Sequence, residues 1–170
     1  MPASVHIRQA DASDLSVITA LIRSCVIHME RHGIHQWDEV YPDRTTIAND
    51  IERRELYILE HDGSVAGVVT LNEQQESEYR KVRWQFSGKA MVVHSLAVAP
   101  AFQGQGCGRE LMRFAHGYAR GQNYTTIRLD AFSSNPRAVA LYERLGYRRA
   151  GSVRFRKGEF YCFEIRVEQG

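Results

Sequence analysis

Between a β-rich run and an amphipathic helix the chain reads Gln103-Gly104-Gln105-Gly106-Cys107-Gly108, three glycines spaced two apart. Glycine has no side chain to bury and loses more conformational freedom on ordering than any other residue, so such a stretch does not serve a core. What it offers is bare backbone. The run before it, "AMVVHSLAV" over 90–98, stops ahead of Pro100, through which a central strand does not continue. After it, Leu111, Met112, Phe114, Ala115 and Tyr118 make one apolar face up to Gly121. A glycine turn that leaves a strand and opens a helix gathers N–H groups at the positive end of the helix dipole, about half an elementary charge, and so suits an anion, phosphate above all.

Two common phosphate sites do not match. The nucleoside-triphosphate loop ends in Gly-Lys-Ser/Thr, whereas this turn ends Gly108-Arg109-Glu110. The dinucleotide fingerprint needs GxGxxG with an acidic residue about twenty positions on; the spacing here is GxGxG, and Asp130 fits that place only loosely.

The rest of the chain supplies the elements around this turn. "VHIRQA" alternates as a strand, and Asp11 and Ser13 are good N-caps for a helix whose Leu15, Ile18, Leu21, Ile22, Cys25 and Met29 recur at three and four up to Gly33. "HQWDEVYP" reads as a loop and "DRTTIANDIERRE" as a short second helix. "LYILE", a turn at "HDGS" and "VAGVVTL" form a hairpin. Asn72 to Lys89 is polar and without a clear period. "TTIRLDAF" is a strand, "PRAVALYERLG" a helix with Pro136 in its first turn, and "YRRAGSVRF" with "EFYCFEIRV" a closing strand pair. This order predicts a mixed α/β sheet in one domain spanning 1–170.

At 170 residues such a chain can bury roughly 70% of its unfolded surface. No apolar run approaches the ~20 residues of a membrane helix, and the start lacks the basic and apolar regions of a secretory signal, so the cytoplasm is expected. Cys25, Cys107 and Cys162 are odd in number and widely separated, as reduced thiols would be. The 22 basic and 20 acidic residues are mixed along the chain, which argues against a nucleic-acid surface.

The run from Val92 to Tyr147 resembles the GCN5-related N-acetyltransferase (GNAT) family. That family's signature, Gln/Arg-x-x-Gly-x-Gly/Ala between a central strand and a helix, is met by Gln103 to Gly108. Its second half is met by Asn135, Tyr142, Gly146 and Tyr147 in "NPRAVALYERLGY". The resemblance implies a mostly antiparallel mixed sheet of about seven strands with four helices and splayed central strands. It also implies acetyl-coenzyme A as acyl donor without a metal, its pyrophosphate on the backbone of Gln103, Gly104, Gln105, Gly106, Cys107, Gly108 and Arg109. The pantetheine arm would pair with the strand through Leu96, Ala97 and Val98, and Asn135 and Tyr142 would complete the cofactor contacts. A strand that diverges from its neighbour offers N–H and C=O groups to the two pantetheine amides.

In the family an amine attacks the thioester directly and the coenzyme A thiolate leaves. An amine with a pKa of about 10.4 is neutral in only about one molecule in 2,500 at pH 7, a penalty of roughly 4.6 kcal/mol, so a base would help. The family pattern puts Tyr142 beside the sulfur as the acid. Some protein-modifying members carry a glutamate where this chain has Val92; His94 lies two residues on, an imidazole being a side chain whose ordinary pKa of about 6.5 suits base work, and Glu73 and His35 are further candidates. Trp37 and Tyr41 follow the first helix, where the family builds its acceptor wall, and Asp38 and Glu39 would attract a cationic amine. His28 and His32 are four apart but lack a third ligand and the zincin glutamate, and Cys107 reads as the variable residue of the motif. The expected activity is N-acetylation of a small-molecule primary amine. A protein or peptide acetyltransferase and a non-catalytic coenzyme A-binding module are the alternatives. The expected partners are acetyl-coenzyme A and a small amine, with neither nucleic acid nor membrane, and the protein is expected to be a monomer or homodimer.

Overall fold

A computed structural model describes residues 3–39 and 41–169. Its elements run β1 (Val5–Gln9), α1 (Leu15–Arg31), α2 (Arg44–Glu52), β2 (Leu56–His61), β3 (Ser64–Asn72), β4 (Ala90–Val98), α3 (Cys107–Gly121), β5 (Thr126–Phe132), α4 (Pro136–Arg144), β6 (Arg148–Phe155) and β7 (Gly158–Arg166), with short 3-10 turns at Ala12–Asp14, Ser77–Lys81 and Pro100–Phe102. The seven strands lie in the order β1-β2-β3-β4-β5-β7-β6. β1–β2, β2–β3, β5–β7 and β7–β6 are antiparallel; β4–β5 is parallel. This is the mixed sheet with four helices that the sequence order implies.

Where the sequence reads as one domain, contacts gather into two compact units within it, Met1–Leu71 with His94–Phe114 and Asn72–Val93 with Ala115–Gly170. The division passes through β4 and through α3, so each of those elements belongs partly to both.

In the first unit, charge fixes the start of α1. Asp11 accepts the Ser13 N–H at 2.9 Å while Asp14 accepts the Asp11 N–H at 2.8 Å, a reciprocal cap that satisfies two of the donors a helix start leaves open. Arg8 of β1 grips both oxygens of Asp14 at 2.8 Å and reaches Glu60 of β2 at 2.9 Å. The hydrogen bonds from Arg8 hold the Asp14 carboxyl below its ordinary range. One sequence expectation needs correction here: Ala12–Arg31 form 20 continuous helical residues, long and apolar enough by composition to cross a membrane. Its stripe of Ile18, Leu21, Ile22 and Cys25 instead packs on Ile47 and Ile51 of α2 and on Leu56, Ile58 and Val68 of the sheet. Burial of such a stripe is what makes an amphipathic helix of this length stable in a globular unit.

In the second unit, side chains organise the polar stretch over 72–89 that carries no readable period. Glu164 of β7, fully buried, accepts the N–H groups of Gln85 and Phe86 at 2.8 and 3.0 Å and the Arg148 guanidinium at 2.7 Å. Arg128 of β5 stacks on Trp84 at 4.5 Å and donates to the Phe86 carbonyl at 3.0 Å. Tyr79 is buried and donates to Asp130 of β5 at 2.6 Å. A buried carboxylate is tolerated when its lone pairs are met, and its removal strands the donors that met it. Glu164→Ala should therefore cost about 3 kcal/mol or more of stability, with a smaller loss for Glu164→Gln; chemical denaturation of the two variants against the parent protein checks this.

Candidate functional site

Within the first unit, the C-terminal half of β4, the turn after it and the start of α3 form one continuous backbone feature. The parallel register of β4 with β5 covers only Ala90–Val92 against Thr126–Arg128, so six of the nine residues of β4, Val93–Val98, lie beyond it. Ser95 stands in that part with φ +53, the left-handed region that an L-residue other than glycine, Asn or Asp rarely adopts. A single such residue bends the strand and re-aims its neighbours. His94, half-buried, immediately precedes it. Leu96 is half-buried and Ala97 buried. The Val98 carbonyl accepts from the Cys25 thiol at 3.3 Å and from Gln103 Nε2 at 3.2 Å, so both its lone pairs are used inside the protein.

The turn has the form an anion cradle requires. Gly104 and Gly106 have φ +79 and +83, and a Cβ added at either would meet no protein atom within 4 Å, so their backbone faces open space. Gly108 differs from its two neighbours: it lies inside α3, where the glycine is not needed for handedness. The two glutamine side chains fold away from the turn, Gln103 to Val98 and Gln105 Nε2 to the Ala101 carbonyl at 3.3 Å. The first helical bond runs from the Glu110 N–H to the Gly106 carbonyl at 3.0 Å, which leaves the N–H groups of Cys107, Gly108 and Arg109 in the first turn without an intrahelical acceptor. Arg109 is exposed. The Cys107 side chain is buried, and burial, then Glu110, raises its thiol above the ordinary value. A thiol held protonated there is no nucleophile.

Around the loop after α1, Trp37 is 9% exposed and belongs to the apolar cluster beneath α1 and α2, a packing role where the sequence suggests an acceptor wall. Tyr41 is exposed at 43%. Asp38 closes the turn between them, donating its N–H to the Tyr41 carbonyl at 3.2 Å and accepting the Tyr41 N–H at 3.3 Å. Glu39 and His35 are exposed. The rings of His28 and His32 lie 4.5 Å apart, and among the described residues no group of three His, Cys, Asp or Glu is placed to hold a metal.

The second unit holds the other candidates. Asn135 caps α4, its side-chain oxygen accepting the Ala138 N–H at 3.2 Å. About two turns later Tyr142 is buried, with its ring against Tyr147 at 5.8 Å and Phe163 at 6.0 Å. Burial, helped by the negative charge of Asp130, pushes its phenol well above the ordinary value of about 10. Tyr147 in turn shares a 2.8 Å hydrogen bond with His116 Nε2. Asp130, pushed up to about 6 mainly by burial, is covered by Tyr79 and so is not presented to a ribose. Glu73 is exposed and lies 3.9 Å from the Lys89 ammonium. Sequence reasoning missed two features of the first unit, the left-handed Ser95 and the carboxylate of Asp50, because a serine in a strand and an acid on an amphipathic helix carry no local mark.

The model of the acetyltransferase (GNAT) family matches residues 25–147, and this chain belongs to that family. It is 28% identical over 143 residues to YesJ, an N-acetyltransferase of Bacillus subtilis, covering 82% of this chain and 79% of that one. A GNAT acetyltransferase of Streptococcus agalactiae shares the fold with a TM-score of 0.84 at 22% identity, over 98% of this chain and 96% of that one. An acetyltransferase of Salmonella typhimurium, solved with its cofactor acetyl-CoA, shares it with a TM-score of 0.73 at 21% identity, over 98% and 96% of the two chains. The protein is thus an acyltransferase, and the family supports acetyl-coenzyme A as its donor.

If the turn holds the pyrophosphate, side chains at its two left-handed positions should weaken that grip. Gly104→Ala combined with Gly106→Ala places two L-residues at positive φ, at about 1–2 kcal/mol each. The thermal stabilisation that acetyl-coenzyme A gives the parent protein should then shrink or vanish, as differential scanning fluorimetry would read.

Proposed function

We propose that this protein transfers the acetyl group of acetyl-coenzyme A to a primary amine of a small molecule. The observation that carries the reading is the turn at Gly104 and Gly106: open, left-handed backbone at the mouth of a helix, with its neighbouring side chains tied back. The N–H groups of Gly104 to Arg109 would hold the pyrophosphate, and the backbone of Leu96 and Ala97 with what Val98 has left would hold the pantetheine amides.

In this reading the amine nitrogen bonds to the thioester carbon, the carbon–sulfur bond breaks, and Tyr142 gives its proton to the departing thiolate. Burial keeps the phenol protonated throughout the working range, so a proton is present, but it also makes the phenol a weaker acid, and the role rests on the place of Tyr142 in the family pattern. His94 is the proposed acceptor of the proton released by the amine, directly or through water; Glu73 is the alternative, although its exposure and its lysine neighbour favour it less. Tyr41 at the exposed loop edge is the proposed acceptor contact, with Trp37 supporting it from the core. Asn135 acts by capping the helix that carries Tyr142.

Thiol release measured with acetyl-coenzyme A and a panel of polyamines, aminoglycosides, amino acids and peptides tests the reading; turnover confined to peptides would replace the small-molecule acceptor with a protein one. Tyr142→Phe should lower kcat at least about tenfold while leaving acetyl-coenzyme A binding within about twofold, and unchanged turnover would remove Tyr142 as the acid.

A further inference from the structure

A pocket in the first unit has a carboxylate in its wall. It is lined by apolar side chains of α1, α2, β2 and β3, and by Asp50, Thr70 and Ser95. It has room for about one water-sized group. Thr70 is 1% exposed and donates to Asp50 Oδ2 at 3.1 Å. Asp50 lies in the last turn of α2, where the helix dipole is negative and a carboxylate is disfavoured unless a cation stands near. Among the described residues no lysine or arginine forms an ion pair with it. A half-buried carboxylate at a negative helix end, inside an apolar pocket of this size, suits a primary ammonium group.

We propose that this pocket is a subsite for a second, non-reacting ammonium group of the acceptor, with Asp50 as its counter-charge, so that the acceptor is a diamine or polyamine. The inference rests on the amine-acetylating reading given above. The bound ammonium is the non-reacting one because a neighbouring carboxylate favours the charged form of an amine, and the amine that attacks must be neutral. The size of the pocket selects further: a primary ammonium fits, and a trimethylammonium is too large.

The site also carries a pH signature. Burial, the largest influence, pushes the Asp50 carboxyl up to about 6, against the opposing effect of the Thr70 hydrogen bond. The charged groups around it are Glu55, which raises it further, and Arg53, which lowers it. α1 and β2 turn apolar side chains to the pocket, Ile18, Ile22 and Leu56, and β4 contributes Ser95, with His94 next to it in the chain. Asp50 is thus ionised above about pH 6 and loses its hold on a cation as the pH falls through that value.

The test compares 1,4-diaminobutane, 1-aminobutane and 4-aminobutyltrimethylammonium as acceptors, with Asp50→Asn beside the parent protein. The diamine should exceed both others in kcat/KM by about tenfold or more. Asp50→Asn should raise its KM by a similar factor at nearly constant kcat, and should flatten the rise in KM that the parent protein shows from pH 7 to pH 5. Calorimetry of 1,4-diaminobutane without acetyl-coenzyme A should show binding that Asp50→Asn weakens to the same degree. Thr70→Val, which leaves the charge in place, should weaken binding less and serves if Asp50→Asn does not fold. Equal turnover of monoamine and diamine, or an unchanged KM in Asp50→Asn, overturns the subsite and leaves the acetylation of amines standing. Failure of every amine, in this set and in the wider panel, to release thiol overturns both.

Discussion

The short parallel ladder between β4 and β5 is the constraint on which the rest of β4 and the glycine turn after it depend. Three residues of β4 are held to β5, and over the six that follow the N–H and C=O groups on the side away from β3 need other partners. Backbone polar groups left without partners are costly, so a strand released from one neighbour either bends, is capped by side chains or meets a ligand. β4 shows the first two. Ser95 takes a left-handed conformation, and the Val98 carbonyl is met by Cys25 and Gln103. The third is the role that acetyl-coenzyme A plays in the proposed reading.

The same economy of polar groups continues into the turn. Gln103 and Gln105 could have reached outward, yet both side chains bond backward to main-chain carbonyls, and Cys107 is buried beneath the helix start. What remains outside is main chain. A phosphate held by N–H groups in this way needs no basic side chain, which is consistent with a chain whose charge is nearly balanced.

Much of this was legible in the residues. The apolar period of α1, the hairpin of β2 and β3, the β-rich run of β4 and the glycine turn opening α3 are local patterns, set by side-chain spacing and turn chemistry, and each element formed close to its expected place. The stretch from Asn72 to Lys89 was not legible, because its order comes from Glu164, Arg128 and Asp130, which lie 40 or more residues away in sequence. Trp37 shows the complementary difficulty: its residue type suits either a ligand wall or a core, and only packing under α1 and α2 assigns it to the core.

By itself, then, the sequence determined the elements, their order and the glycine turn, since periodicity, caps and glycine spacing act within a few residues. Tertiary structure alone decided that only two of the three glycines are left-handed, that Val98 has spent its carbonyl, that Cys107 and Tyr142 are held protonated, and that Asp50 stands in a pocket. Those properties depend on burial and on partners distant in the chain. Desolvation and hydrogen bonding act through space, and no local pattern of residues encodes them.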